Sequence, residues 1–313
     1  MKEVLVRVLG AVVGLFLLTV VGFLMVRLIP GSVEDVLLGT EAASQEQRQA
    51  IRDRYLLDEP LPVQYRVWVS GLARGDFGES VRTRQPILST LLEKLRPSIE
   101  LATLSLVLAL MISMALGTLS AFRRRSAVDR AITGFSLAGM SVPDFVVGLL
   151  FVVFIASRYR FFPTFGYQPM SAGLMPWLRH LLLPAIALAL ALTGLLTRLI
   201  RSSIAETLQA DHVRTALGKG LPRRQLLTQH VLRPSLIPVV TTAGLQFVAI
   251  IGNVVVIEFV FSLPGIGSLI LDGIRFRDYA MIQGATLLIG AFAIGMSLLV
   301  DLSYRVLDPR VRL

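Results

Sequence analysis

Two carboxylates interrupt stretches that are otherwise free of charge. They are Asp144, in Ser141-Val142-Pro143-Asp144-Phe145, and Glu258, just beyond the uncharged run Pro234 to Ile257. An ionised side chain is expensive in hydrocarbon. Each must therefore serve the structure, as a helix cap or ion-pair member, or line a path for a solute. Both readings are open at this point, and Asp144 and Glu258 stand as candidates for a translocation path. Bond-making chemistry has little to stand on. The chain has no cysteine, which removes disulfides, thiolate metal sites and a cysteine nucleophile. The histidines, His180, His212 and His230, are scattered, with no HExxH pair and no nucleophile elbow. Gly265-Ile266-Gly267 follows Pro264 and lacks the strand-to-helix setting of a phosphate loop. The sequence predicts no catalytic residue and no metal site, hence a chain that is not an enzyme.

The elements that must position these residues are membrane helices. Of 313 residues 54% are hydrophobic and 17% charged, and the mean hydropathy is +0.69, a balance that argues against a soluble domain. Six apolar runs stand out: Val8–Val26, Leu101–Phe122, Ala131–Ser157 (broken by Asp144), Leu181–Thr197, Pro234–Ile257 and Tyr279–Val300. A crossing needs about 20 mostly apolar residues and must be helical to satisfy its backbone, so six transmembrane helices are expected, Leu181–Thr197 being short. The first run offers no small-residue cleavage site at Phe23-Leu24-Met25-Val26-Arg27 and reads as a retained helix. If the third crossing starts at Ala131, Asp144 lies near its middle; if Ala131–Ala138 is instead an interfacial helix, as a break at Pro143 favours, Asp144 lies at the inner mouth.

The net charge of +10 raises nucleic acid as a partner only until the basic residues are placed. With both ends inside, the inner segments hold fifteen of them. Among these are Arg123, Arg124, Arg125, Arg130, Arg201, Arg223, Arg224, Arg310 and Arg312. The short outer loops hold five: Arg158, Arg160, Arg179, Arg275 and Arg277. The positive-inside bias then predicts an N-in, C-in protein of the cytoplasmic membrane, with the bilayer as its partner and no nucleic acid.

Two hydrophilic segments lie between the crossings. The outer one, Leu28 to Ser98, has a capping-box pattern at Ser44 and Gln47, opening a helix toward Tyr55. A second element with helical spacing follows Pro60 and Pro62, includes Val67, Trp68 and Leu72, and ends at Gly71, Gly75 and Gly78. The segment reads as a cap over helix ends or a docking surface for an external partner. The inner one, Arg201 to Arg233, reads as a helical hairpin. Asp211 caps its first helix, Val213, Ala216 and Leu217 repeat at helical spacing, Gly218 and Gly220 stop it, and Pro222 starts the return toward Leu232. Small residues Gly284, Ala285, Gly290, Ala291, Ala293 and Gly295 equip the last crossing for close packing.

The inner segment carries a family resemblance. Asp211-His212-Val213-Arg214-Thr215-Ala216-Leu217-Gly218-Lys219-Gly220-Leu221 resembles the EAA loop of binding-protein-dependent ABC importer permeases, in the form of the dipeptide, oligopeptide and nickel branch. Departures are His212 for the usual tyrosine, Gly218 for the usual alanine, and Arg233 where the general pattern has proline, with Pro234 and Pro238 following. The likeness continues through Leu57-Asp58-Glu59-Pro60-Leu61, Gln64-Tyr65, Trp68 and Gly75-Asp76-Phe77-Gly78. It resumes at Phe261 to Gly267, Arg277-Asp278-Tyr279 and Leu307-Asp308-Pro309-Arg310, with Ser297 replacing a common asparagine. The resemblance implies an all-α membrane protein of the type I ABC importer permease fold. It further implies a second homologous permease, two cytoplasmic ATPases that carry ATP and Mg, and an extracytoplasmic solute-binding protein, with no cofactor on this chain. Asp211, Arg214, Thr215, Ala216, Lys219 and Gly220 would couple to the ATPases, and the cargo would be small peptides or, alternatively, nickel or a metal chelate. The chain then divides into an N-terminal helix (1–28), an extracytoplasmic subdomain (29–98) and a permease core (99–313) that includes the coupling loop (201–237). A secondary transporter or channel would instead show an internal repeat or several midplane ionisable residues, and the sequence has neither.

Overall fold

The computed structural model describes residues 2–28, 44–159, 161–222 and 225–307. Arg160, Arg223, Arg224, Arg310 and Arg312 of the charge count, and the Asp308-Pro309-Arg310 end of the C-terminal motif, lie outside the described residues. Among the described residues the chain is helical, with one isolated bridge between Glu79 and Pro86 and no strand. The order is α1 (Lys2–Arg27), α2 (Gln45–Tyr55), α3 (Leu61–Ala73), α4 (Ile87–Phe122), α5 (Ala127–Ser141), α6 (Asp144–Phe151), α7 (Leu174–Thr207), α8 (Asp211–Gly218), α9 (Ile237–Val260), α10 (Ile266–Arg275) and α11 (Tyr279–Leu307).

Among the described residues, five helical stretches are long and apolar enough to cross a membrane: Leu5–Arg27, Ile87–Phe122, Leu174–Thr207, Leu226–Val260 and Tyr279–Leu302. The sixth candidate is a pair, Ala127–Ser141 and Asp144–Ala156, bent by 94°. Val142 in the break is extended (φ −94°, ψ 124°), as the residue before a proline prefers. The other helices outrun their uncharged runs, because polar turns extend them beyond the apolar stretch. Leu181–Thr197, short as a sequence run, is the middle of a 34-residue helix. The fifth crossing begins earlier than Pro234: a π-helical turn at Leu226–Leu232 and a helical turn at Arg233–Ser235 lead into α9.

The chain forms two compact units, each joining pieces distant in sequence. The first comprises residues 1–98 and 264–298. Its core is Ile87, Leu91, Ile266, Ala280, Met281 and Ala285, with Phe77, Leu95 and Leu269 against it. Here α1 and α11 meet through small residues: a Cβ on Gly290 would lie 2.7 Å from Leu18, and one on Gly22 would lie 2.9 Å from Leu287. Apolar contact is not gained by leaving lipid, so close backbone approach of this kind is what favours helix pairing in a bilayer. The capping box is formed as the sequence predicts, with Gln47 N–H donating to Ser44 Oγ and Ser44 N–H to Gln47 Oε1. Gln64, Tyr65 and Trp68 hold α3 to α1. The Tyr65 ring is edge-on to Phe23 at 5.3 Å, its hydroxyl is 2.7 Å from Thr19 Oγ1, and Gln64 accepts from Arg27.

The second unit comprises residues 99–263 and 299–313. Its centre is α7, on which α5, α6 and α9 all pack. In the most apolar part of α7 67% of the residues are buried, against 11% in that of α1, whose Leu9, Val12, Phe16 and Val21 are exposed. Glycine sets the closest crossings: a Cβ on Gly117 would meet Ile200 at 2.8 Å, and one on Gly194 would overlap the Ser136 carbonyl oxygen and reach Met140 at 2.8 Å.

Candidate functional site

The hairpin between α7 and α9 is a folded element with its own small core. Val213 and Ala216 of α8 and Leu226 and Val231 of the return are all buried. Helical spacing on α8 puts the first two on one face. The opposite face leaves Asp211, Arg214, Thr215, Lys219 and Gly220 exposed. Ala216 thus packs inside the hairpin, while its neighbour Leu217 is 57% exposed, a large apolar side chain on an otherwise polar face. Among the candidate coupling residues, five share the outer surface and one is internal.

Both ends of α8 are defined by local chemistry. The N-cap is Ala210, extended and without a side-chain cap bond, so Asp211 does not cap the helix as its residue type suggests. Asp211 is the first helical residue, where its charge favours the positive end of the helix dipole. At the other end Gly220 has φ +72°, its N–H donates to the Leu217 carbonyl at 3.0 Å, and Leu221 N–H donates to the Ala216 carbonyl at 3.3 Å. That is a Schellman termination, and glycine is the residue that adopts it without strain. Among the described residues, no atom beyond its chain neighbours lies within 4 Å of where a Cβ on Gly220 would stand, so the surrounding space is open. His212 Nε2 donates toward the His230 carbonyl at 3.2 Å and ties the two arms together. At the base, Ser203 Oγ donates to the Ser235 carbonyl at 3.0 Å, and Ser235 and Thr207 hydroxyls are 2.9 Å apart.

A second constellation escaped the sequence reading. Asp129 is 4% exposed and accepts two bonds from Arg201, at 2.7 and 2.9 Å. It also accepts from the Ser120 hydroxyl at 2.5 Å and the Arg125 N–H at 2.9 Å. One carboxylate thereby joins the end of α4, the start of α5 and the last turns of α7. The Ser126-x-x-Asp129 spacing was a visible helix-start signal, and Ser126 Oγ does accept from Asp129 N–H. The pairing with Arg201, 72 residues on, had no local sign. Glu100, the residue just before the apolar run Leu101–Phe122, is another such carboxylate. It accepts from the Tyr167 hydroxyl at 2.8 Å and Trp177 Nε1 at 2.6 Å.

Asp144 and Glu258 are placed apart. Asp144 lines a cleft of about 220 Å³ with Met140, residues of α7 such as Leu188 and Leu195, and Gln246, Ile250 and Asn253 of α9. Glu258 is 1% exposed and is not among the residues of that cleft. A second cavity, about 290 Å³ in the first unit, is lined by Arg82, Glu93, Lys94 and Asp272 beside the buried Ser80–Asp278 bond of 2.6 Å. Among the described residues no group of three His, Asp or Glu side chains stands together as a metal site.

Comparison with known proteins gives this helical plan a family. The family described as "Binding-protein-dependent transport system inner membrane component" matches residues 113–313, and its N-terminal companion matches residues 1–107. The chain is 40% identical over 302 residues to "Probable peptide ABC transporter permease protein y4tP" of Sinorhizobium fredii, covering 96% of this chain and 95% of that one. It is 35% identical to "Oligopeptide transport system permease protein OppB" of Salmonella typhimurium, over 100% and 99% of the two chains. Among solved structures, an inward-facing MetNI methionine ABC transporter superposes with a TM-score of 0.59 at 12% identity, over 72% of this chain and 99% of that one. Such identity speaks for the fold alone, which is that of ABC importer permeases. The chain belongs to the binding-protein-dependent transport system inner membrane component family.

Proposed function

We propose that the chain is the membrane permease subunit of an ATP-driven importer for short peptides, working by alternating access in the cytoplasmic membrane. What carries the peptide assignment is the pair of relatives named for peptide and oligopeptide transport, each matching nearly the whole chain. A nickel or chelate cargo draws no support from those names. The chain has both termini in the cytoplasm, residues 29–98 outside, and a core of residues 99–313. Its partners are a second permease, two ATPases that bind ATP and Mg, and an external binding protein. ATP at one end and the loaded binding protein at the other bias the same two packings of helices.

In this assignment α8 is the part that meets an ATPase. Arg214, Thr215, Lys219 and Gly220, with the exposed Leu217, form the contacting face. Asp211 starts the helix, and Ala216 gives it rigidity from within. The surroundings of Gly220 make one substitution informative. Aspartate tolerates a positive φ better than most residues, and a Cβ at this position meets open space among the described residues. Gly220→Asp should therefore leave the permease folded and inserted yet abolish peptide uptake, because the new charge stands at the partner surface. Co-purification with an ATP-binding subunit, weakened by Gly220→Asp, is the accompanying readout. Peptide transport by the chain alone, without an ATPase, would overturn the proposal.

A further inference from the structure

We propose that the cleft beside Asp144 is a transient seat for the ammonium group of a peptide in transit. This deepens the peptide reading given above and rests on it. The carboxylate is half-buried, and among the described residues its one hydrogen-bond partner is the adjacent Phe145 N–H, at 2.8 Å. Across the cleft Gln246 and Asn253 present carboxamides that have no hydrogen-bond partner among the described residues. The remaining wall, including Leu188, Leu195 and Ile250, is apolar. One anion and two uncommitted amides in an apolar wall are complementary to a cation flanked by a peptide group. The carboxylate takes the ammonium, and the amides can donate to a carbonyl and accept from an N–H.

The cleft, about 220 Å³ and partly open to its surroundings, offers one carboxylate, and a peptide carries one terminal ammonium. The cleft therefore reads the amino end and leaves the rest of the peptide to other surfaces. A purely structural Asp144 would serve as the first-turn acid of α6, and that role asks nothing of Gln246 or Asn253.

The test uses the assembled importer in proteoliposomes with its binding protein, radiolabelled trialanine as the probe, and the number of peptides delivered per ATP hydrolysed. Asp144→Asn keeps an oxygen for the Phe145 N–H and removes the charge. It is expected to lower the ratio about tenfold, the equivalent of about 1.4 kcal/mol. Asp144→Glu restores at least half of the ratio, and Asn253→Ala lowers it about threefold, the scale of one neutral hydrogen bond. An unchanged ratio in Asp144→Asn, including the case where transport and hydrolysis fall in step, overturns the ammonium seat while leaving the peptide importer standing. A wild-type complex that carries no trialanine overturns the peptide reading and the seat with it.

Discussion

Asp129 and Asp144 stand on the two arms of the helix that breaks at Pro143, and they differ in almost everything except residue type. Asp129 is enclosed by donors: two from Arg201, one from Ser120 and one from the Arg125 backbone. Asp144 has a single bond from the amide beside it and faces a cleft. A carboxylate whose lone pairs are taken by fixed donors holds elements together and has nothing left for a solute. One with lone pairs to spare, in an apolar wall, does little for the fold and remains able to bind. The number of fixed donors, more than the presence of charge in an apolar stretch, separates the structural acid from the candidate binding one.

The largest effect expected of this contrast is an asymmetry within the Asp129–Arg201 pair. The Arg201 side chain is 31% exposed and the Asp129 side chain 5% exposed. Arg201→Ala abandons a nearly enclosed anion and should cost about 3 kcal/mol, the low end for a broken buried pair because the site lies close to the helix ends. Asp129→Ala leaves a guanidinium that water can reach and should cost about half as much. Thermal melting of the purified complex orders the two variants, and the double change Asp129→Leu with Arg201→Met should recover much of the loss. Equal losses in the two single variants would mean that Asp129 is not the enclosed partner, and the contrast with Asp144 would collapse.

A smaller effect tests what fixes the arm that carries Asp129. Gly194 of α7 lies against the Ser136 carbonyl of α5, with no room for a side chain. Gly194→Leu must push the two helices apart, at about 2 kcal/mol for overpacking. If the ion pair and the glycine crossing hold α5 jointly, the loss in Gly194→Leu combined with Arg201→Ala will be less than additive. Strict additivity would show that α5 is held independently at its two ends.

These contacts also mark where the sequence stops speaking. The apolar runs were legible because lipid demands some 20 uncharged residues and an internally bonded backbone. The capping box at Ser44, the break at Pro143 and the turn at Gly220 were legible because each follows from the local conformational preferences of one or two residues. Asp211 misled, since an acid near a helix start can serve either as cap or as first-turn charge, and the extended Ala210 decided in favour of the second. The early start of the fifth crossing was hidden because Arg233 and two prolines look like a boundary. The helix nevertheless runs through them from a π-turn. Long-range pairings left no trace: Asp129 meets Arg201, Glu100 meets Tyr167 and Trp177, and Gln283 donates to the Gly22 carbonyl across 261 residues. The cleft belongs to the same class, since Gln246 and Asn253 looked like ordinary polar residues in an apolar run until the fold set them opposite Asp144.

The smallest expected effect closes the comparison. Asp144→Asn should change the melting of the complex by less than about 0.5 kcal/mol, the scale of one first-turn charge at an accessible helix end. Asparagine can still accept from Phe145 N–H, so the hydrogen bond is kept and only the charge is lost. The same substitution at Asp129 should cost several times more, because an amide nitrogen turned toward Arg201 places two donors face to face in an enclosed site. Running the identical chemical change at both positions removes residue type as a variable and leaves environment as the cause. If Asp144→Asn melted as early as Asp129→Asn, Asp144 would be a structural acid and the cleft a by-product of packing. A near-silent melt at Asp144, set against a marked one at Asp129, would instead leave transport as the property on which the Asp144 carboxylate acts.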